Sequence, residues 1–344
     1  MTRPTIVDVA KRAGVSKSLV SLVMRGAPNV SDEKRERVLR VAAAVGYRPN
    51  AVARSLVRQR TNLLGVLLSD LHNPFFAEVI DGIQAEAAAR GYRTIIGTGD
   101  RVELSEARAL DTMLELRTEG LILASPILPM RRIAEASREV PTVLVARGSR
   151  SSWVDSVAND DTAGAALAVG HLSSLGHRRI VHIDGGDGAG ARERRRGYER
   201  AMDRHGLAGE ARIVAGSYTE EGGWRGVRAL FSRGQAPTAV FAANDLAAIG
   251  TLSALAEQGI RVPEDVSVVG YDNTALAAVH HIHLTTVDQP RPEMGRTAVS
   301  LILERLDGER RSVRHLLMPP SLVVRGTTGP PATTGPPTTK KVRR

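Results

Sequence analysis

The sequence has no cysteine among its 344 residues, which excludes disulfide bonds, thiolate zinc sites and cysteine nucleophiles. It has no apolar run near the ~20 residues that a bilayer-spanning helix needs. The opening segment MTRPTIVDVAKRAGVS lacks the apolar region of a secretory signal. Aromatic residues make up only 3%, against 42% hydrophobic and 24% charged residues. This composition predicts a soluble globular protein, and we expect it in the cytoplasm.

The length fits two domains, or one bilobed domain and a small one. The net charge of +10 is unevenly divided, because residues 1–60 hold thirteen Lys and Arg against four Asp and Glu. The last five residues add +4, so residues 61–339 carry a balance of −3. The positive charge therefore sits in an N-terminal module and a tail, and we expect that module to bind a polyanion such as nucleic acid.

Residues 5–24 carry the pattern of two short helices joined by a tight turn. Thr5 and Asp8 have the spacing of a capping box, Gly14 suits the turn, and Ser16 is placed to cap a second helix over 17–24. The second helix would direct Val20 and Val23 inward and Lys17, Ser18, Ser21 and Leu22 outward. This arrangement predicts a helix-turn-helix.

A third helix is expected after Ser31, whose side chain can cap it, and Gly46 would end it. Residues 51–57 follow as a helix-prone segment too short to be stable alone in water. This segment therefore needs a partner.

From residue 63 the chain alternates apolar runs of strand length with helical patterns, which predicts parallel sheets with helical crossovers. Strands are expected at 63–68, 94–97, 120–124, 142–146, 179–183, 211–215, 239–242 and 266–270. Helices are expected near 76–90, 103–117, 131–138, 163–175, 194–205, 220–231 and 246–258. Two similar halves follow one another, and their strand ends would face each other across a ligand cleft.

Several segments, in unbroken order, resemble the lactose-repressor (LacI/GalR) family of transcriptional regulators. They are TIVDVAKRAGVSKSLVS, NVSDEKRERVLRVAAAVGYRPN, AVARSL, Asn73-Pro74-Phe75-Phe76, HLSSLGHRRI, Ala243-Asn244-Asp245 and VVGYD. The resemblance spans nearly all of residues 5–326. It implies an α/β protein with a three-helix headpiece, a hinge helix and a bilobed effector domain similar to periplasmic sugar-binding proteins, with two doubly wound parallel sheets.

The resemblance also implies how DNA is contacted. Lys17 and Ser18 would read bases in the major groove, Leu56 would wedge into the minor groove, and Ala53 would lie against its floor. Alternatively, Lys17 and Ser18 form only a solvated helix start and Leu56 packs on the effector domain. Leu22 and Arg25-Gly26 depart from the family's usual residues, so its operator code does not transfer directly. The other expected contacts are Thr5, Ser16, Ser21, Leu22, Arg25, Ser31 and Asn50.

The effector site is expected at the strand ends, where carboxylates and amides would bind sugar hydroxyls and aromatic rings would stack on the sugar. By the resemblance, Arg194, Asn244 and Asp272 would hold hydroxyls. The complete candidate set is Asn73, Phe75, Phe76, Arg194, Trp224, Asn244, Asp272 and Gln289. Core packing remains an alternative for Phe75 and Phe76, and capping of the next helix remains one for Asn244.

Other motifs carry less weight. The glycine-rich run 185–190 lacks a clean dinucleotide-binding register, and His280, His281 and His283 lack a second cluster of metal ligands. No nucleophile elbow or Walker loop is present. We therefore expect no cofactor, no metal and no catalytic residue.

These observations predict a headpiece (1–49), a hinge (50–60), an effector and dimerisation domain (61–326) and a disordered Pro/Thr-rich basic tail (327–344). Lobe 1 would comprise 61–158 and 289–318, and lobe 2 would comprise 159–288 and 319–326. We expect a dimeric repressor that binds a near-palindromic operator under the control of a small effector, with no membrane partner. The alternatives are a solute-binding transport protein, a sugar-metabolising enzyme, or a regulator that answers to a protein or phosphorylated partner.

Overall fold

The computed structural model describes residues 4–47, 60–231 and 236–332. The chain divides into two compact units, residues 1–61 and 62–344. The first unit has one small hydrophobic core, and the second unit has several larger ones.

The first unit contains three helices, α1 (Ile6–Ala13), α2 (Lys17–Met24) and α3 (Asp32–Val45). Their apolar faces meet around Val9, Val20 and Val38, one from each helix, and all three side chains are fully buried. Burying one valine contributes roughly 1.5–3 kcal/mol, so this small core holds the helices together. The predicted helix-turn-helix is confirmed.

The turn between α1 and α2 follows the sequence signals. Gly14 adopts φ of 65°, in the left-handed region that the tight turn requires. Ser16 Oγ accepts a hydrogen bond from the backbone N–H of Leu19 at 3.2 Å, which caps α2. At the start of α1, the backbone N–H and the hydroxyl of Thr5 both donate to Asp8 Oδ2 at 2.8 Å.

The first lobe of the second unit is a six-stranded parallel sheet with helices on both faces. Its strand order is β11-β5-β4-β3-β1-β2. The strands are β1 (Leu63–Leu68), β2 (Arg93–Thr98), β3 (Gly120–Ala124), β4 (Thr142–Val145), β5 (Asp155–Asn159) and β11 (His315–Met318). The helices are α4 (Phe75–Ala89), α5 (Glu103–Glu115), α6 (Met130–Glu139) and α11 (Arg291–Leu306). Separate cores lie on the two faces, which explains why the strands read as continuous apolar runs.

The second lobe repeats this design with strand order β12-β10-β9-β8-β6-β7, where only β12 runs antiparallel to its neighbour. Its strands are β6 (Ile180–Ile183), β7 (Arg212–Val214), β8 (Ala239–Ala242), β9 (Ser267–Asp272), β10 (Thr285–Asp288) and β12 (Ser321–Val323). Its helices are α7 (Asp161–Ser174), α8 (Ala191–Arg204), α9 (Glu220–Phe231) and α10 (Asp245–Glu257). The expected α/β class with two doubly wound sheets is therefore confirmed. The chain crosses between the lobes after β5, β10 and β11.

The sequence analysis missed β5, β10, β11, β12 and α11. The sequence of β5 looks like a polar loop, yet Asp155 is fully buried. Arg310 makes this burial possible, because its Nη1 donates to Asp155 Oδ1 at 2.8 Å across 155 positions of sequence. A strand whose polar residues depend on such a distant partner has no local periodicity to reveal it.

The tail begins later than predicted. Residues 327–332, expected to be disordered, pack on the second lobe: the backbone N–H of Thr285 donates to Thr327 Oγ1 at 2.9 Å. The ring Nε2 of His177 lies 2.8 Å from the carbonyl oxygen of Gly329. These contacts satisfy the polar groups of the segment, so its composition alone was misleading. Residues 333–344 lie outside the described residues.

Candidate functional site

An inner cavity of about 60 Å³ lies between the two lobes, at the carboxyl ends of their strands. In both sheets the first strand pairs with the second on one side and the third on the other, so the strand order reverses there. This is the position where open α/β sheets bind ligands. The lining includes Ser69, Asp70, Asn73, Ser125, Gly188, Asn244, Asp272 and Gln289.

A buried guanidinium forms the charged centre of the inner cavity. Arg194 Nε donates to Asp161 Oδ1 at 2.9 Å, and Arg194 Nη2 lies 3.9 Å from Asp272 Oδ1. The guanidinium carbon lies 3.7 Å from the centre of the Tyr271 ring. Burial raises the pKa of Asp161, while Arg194 opposes that shift. Two carboxylates thus share one cation, and the site can bind groups that donate hydrogen bonds.

Asp272 ends β9 with a strained backbone, since its φ is 109°. Gln289 Nε2 donates to Asp272 Oδ1 at 2.6 Å. Burial raises the pKa of Asp272 to about 7, against the lowering effect of Arg194. Its charge therefore changes within the physiological pH range.

Two asparagines in the cavity differ in how their amides are used. Asn159 is 4% exposed; its Nδ2 donates to the Tyr271 hydroxyl at 2.6 Å, but its buried Oδ1 has no partner among the described residues. Asn244 Oδ1 accepts from the backbone N–H of Ala247 at 2.9 Å and caps α10. Asn159 thus offers an unused acceptor, whereas Asn244 lines the cavity as a helix cap.

Three residues after β1 also line the cavity. Phe75 and Phe76 are 4% and 5% exposed and meet edge to face, with ring centres 5.2 Å apart. Both belong to the core of the first lobe and also line the cavity, so core packing does not remove them from the cavity wall. Asn73 Oδ1 accepts from the backbone N–H of Phe75 at 3.0 Å.

Trp224 does not line the cavity, which corrects the prediction. It lies in the second turn of α9, where its Nε1 donates to Glu257 at 3.0 Å and the Arg228 guanidinium stacks on its ring. Tyr218, in the loop before α9, lines the cavity instead. Its hydroxyl donates to the carbonyl oxygen of Ala189 at 2.8 Å, and its ring centre lies 5.3 Å from the Arg194 guanidinium carbon.

The structure brings the other predicted effector residues together around the inner cavity. They are Asn73, Phe75, Phe76, Arg194, Asn244, Asp272 and Gln289. Sequence reasoning missed Asn159, Asp161 and Tyr218. A usable signal existed for Tyr218, because it follows a strand of the second lobe. No such signal existed for Asn159 and Asp161, because Asn159 ends the unrecognised strand β5 and Asp161 follows it.

The exposed start of α2 forms the candidate nucleic-acid surface of the first unit. Lys17 and Ser18 are exposed, Ser21 is half-buried and Leu22 is 37% exposed. Arg25 Nε donates to the Ser21 carbonyl oxygen at 3.1 Å. Thr5, Ser16 and Ser31 are also exposed, and Ser31 precedes α3 without a capping bond from its side chain. Most of the expected hinge lies outside the described residues, and so do the expected DNA contacts Asn50, Ala53 and Leu56.

Within residues 4–47, 60–231 and 236–332, no group of three or more His, Asp or Glu side chains could hold a metal ion. In the same ranges, no helix combines the length and apolarity needed to cross a membrane. His280, His281 and His283 are exposed near one turn. The glycine-rich loop before α8 contributes Gly188 to the inner cavity.

The two units together define a class: a DNA-binding transcriptional regulator with a helix-turn-helix module and a bilobed ligand-binding domain. Comparison with known families gives the same result. Residues 5–50 match the model of bacterial regulatory proteins of the lacI family, and residues 169–328 match a periplasmic binding protein-like domain.

The chain belongs to the LacI family. It is 36% identical over 329 residues to the HTH-type transcriptional repressor PurR of Erwinia tasmaniensis, covering 93% of this chain and 96% of that protein. It is 35% identical over 325 residues to the ribose operon repressor of Haemophilus influenzae, covering 93% and 97%. Among solved structures, the lac repressor dimer bound to operator and the anti-inducer ONPF matches with a TM-score of 0.85 and 32% identity, covering 95% and 100%. The protein is thus a regulator of transcription rather than an enzyme or a transport protein.

Proposed function

We propose that the protein is a cytoplasmic repressor that binds a near-palindromic operator as a dimer and responds to a small sugar or sugar derivative. The inner cavity carries the effector half of this proposal. Its lining includes Asp272, the rings of Phe75 and Phe76, and Asn159, whose Oδ1 has no partner among the described residues. Sugars present hydroxyls that need such partners and apolar C–H faces that pack on rings.

The relatives support both halves of the proposal. One relative is named a ribose operon repressor, and the matched lac repressor structure is described as a dimer on its operator. Two headpieces related by a two-fold axis bind two inverted half-sites, so a dimer favours a near-palindromic sequence.

The proposed major-groove contacts are Lys17, Ser18, Ser21, Leu22 and Arg25. Ala53 and Leu56 are the proposed minor-groove contacts, and a flexible pyrimidine–purine step, CG, is expected at the operator centre.

Effector binding and operator binding are then coupled. If the effector weakens operator binding by some factor, the operator weakens effector binding by the same factor. We propose that closure of the cleft on the effector displaces the hinge segments, so that they no longer hold the minor groove.

The test is a thermal-shift screen of the full-length protein with monosaccharides, disaccharides, sugar phosphates and purines. A ligand at ~100 times its Kd stabilises the folded protein by about 2.7 kcal/mol. In a second experiment, operator half-sites are selected from a random duplex library. Each ligand that stabilises the protein is then tested for its ability to release the selected DNA. Selection of no preferred duplex would overturn the repressor proposal, and hits that leave DNA binding unchanged would overturn the effector proposal.

A further inference from the structure

A larger outer cavity of about 1320 Å³ adjoins the inner one. The two share Asn159, Asp161, Gly188 and Ala189, so they form one continuous cleft. Six arginines line the outer cavity: Arg131, Arg147 and Arg150 from the first lobe, and Arg192, Arg195 and Arg196 from the second. Both lobes therefore present cations to the same space.

Three of these arginines already have partners. Arg147 Nη1 donates to the carbonyl oxygens of Pro126 and Leu128. Arg192 pairs with Glu193 at 2.9 Å, and Arg195 pairs with Asp184.

The other three arginines differ from these. Arg131, Arg150 and Arg196 are exposed and have no hydrogen bond or ion pair from their side chains within the part of the chain that the structure describes. The acidic residues in the lining do little to offset them. Glu193 is bound by Arg192, Asp161 is bound by Arg194, and only Asp187 is left. The outer cavity thus carries an excess of positive charge.

The junction between the cavities shows which kind of molecule would span them. Asn159 lines both cavities, and its buried Oδ1 lacks a partner among the described residues. A buried acceptor without a donor is costly, and a ligand hydroxyl at the junction would supply the donor. One molecule would therefore place hydroxyls on the inner side and a different group on the outer side.

We infer that the effector carries an anionic group, phosphate above all, on a hydroxyl-rich sugar-like body. The body lies in the inner cavity, and the anion lies among Arg131, Arg150 and Arg196. Guanidinium groups bind phosphate and carboxylate oxygens in a bidentate geometry. The anion also removes the repulsion between cations of the two lobes, so its binding favours closure of the cleft. This inference deepens the proposed function and rests on it.

The experiment compares matched pairs of ligands on the full-length protein: glucose and glucose 6-phosphate, ribose and ribose 5-phosphate, fructose and fructose 6-phosphate, trehalose and trehalose 6-phosphate. Gluconate and inorganic phosphate serve as further probes. Affinities are measured by thermal shift and calorimetry at low ionic strength, because salt screens exposed charges beyond about 10 Å at 0.1 M. The variants are Arg131→Ala, Arg150→Ala and Arg196→Ala. The control is Arg200→Ala, an exposed arginine one turn along α8 from Arg196 that lines neither cavity.

We expect at least one phosphorylated sugar to bind more tightly than its neutral parent. Each variant should lose about tenfold or more of that preference, which is the effect of one charge-assisted contact. The Arg200→Ala control should retain it. A preference for gluconate over glucose that is lost in the same variants would also support an anion site.

The inference would be overturned if no phosphorylated sugar stabilised the protein more than its neutral parent. It would also be overturned if the preference for the phosphorylated sugar were equal in the wild type and all variants. Binding of neutral sugars with release from DNA would still leave the proposed function intact. Failure to select any operator would reject the proposed function, even where the arginine-dependent preference is found.

Discussion

Asp272 should make sugar binding depend on pH. Burial raises its pKa to about 7, above its ordinary value of 3.8. Sugar hydroxyls donate hydrogen bonds and so favour the ionised form of this carboxyl. If only that form binds, the competent fraction rises from roughly one tenth at pH 6 to nine tenths at pH 8, and the affinity rises by about tenfold.

The groups around Asp272 define the control measurements. Arg194 favours its ionised form, whereas Asp245, whose own pKa burial raises to about 6, opposes it. Asp245 does not line the inner cavity, and Thr274 and Thr286 donate to its carboxylate within the second lobe. Binding is measured by calorimetry at pH 6, 7 and 8. A neutral sugar is used, since a phosphate group titrates near pH 6 itself.

The Asp272→Asn variant should bind that sugar about 10–100-fold more weakly at pH 8, because it loses a charged acceptor, and its affinity should no longer change with pH. Operator binding should stay unchanged in the variant, and residues 1–60 contain no histidine that would titrate in this range. A variant that keeps the tenfold pH dependence would refute the reasoning. Parallel losses of melting temperature and operator affinity would instead assign Asp272 a purely structural role.

The same shift predicts the pH dependence of stability without ligand. Because the pKa of Asp272 is higher in the folded protein than in the unfolded chain, its favourable contribution is complete below about pH 4. That contribution is lost as the pH rises through about 7. The melting temperature of the wild type, measured relative to that of Asp272→Asn, should therefore fall between pH 5 and pH 8. Some dependence should remain in the variant, because burial raises the pKa of Asp245 and lowers the pKa of His177 and His182.

Three other substitutions test other parts of the protein. Leu56→Ala should weaken operator binding strongly in a gel-shift assay and leave effector affinity unchanged; wild-type operator affinity would exclude a minor-groove wedge. Lys17→Ala and Ser18→Ala should each cost roughly 1–3 kcal/mol on the preferred half-site and change which half-site is selected, so unaltered selection would reject them as base readers. Arg194→Leu should destabilise the protein by about 3–5 kcal/mol in denaturant unfolding, because it leaves Asp161 and Asp272 buried without their cation, and an unchanged midpoint would show that they are neutral.

The predictable part of the fold was the part with local signals. Strands β1, β3 and β8 are continuous apolar runs, and their predicted bounds agree with the structure. The same rule located Asp272, because it directly follows an apolar run of β9. Where a strand was polar and buried, as in β5, the rule failed. Its stability depends on Arg310, far away in sequence, so no local pattern reveals the strand or the residues after it.

The prediction of Trp224 as the aromatic residue of the cavity, where the structure has Tyr218, was wrong for a different reason. The helix α9 has its predicted bounds, Glu220–Phe231, but the Trp224 side chain packs against Arg228 and Glu257 and does not line the cleft. Tyr218 precedes the helix and folds over the glycine-rich loop. A Cβ on Gly188 would lie 2.3 Å from its ring, so only glycine fits there. Close packing of the Tyr218 ring thus explains Gly185 and Gly188 of this loop.

The order of charge along the cleft determines how a ligand can lie in it. The buried part of the inner cavity sets two carboxylates, Asp161 and Asp272, against one cation, Arg194, and the more exposed Asp70 and Arg101 line it as well. The outer cavity has arginines from both lobes whose side chains have no partner within the described residues. An anionic ligand inserted the other way round would bring its charge against buried carboxylates, where low polarity makes like-charge repulsion strong. With hydroxyl donors inside and the anion outside, the buried carboxylates of the inner cavity and Arg131, Arg150 and Arg196 of the outer cavity all gain partners. The same residues that provide affinity would therefore also select the ligand's orientation.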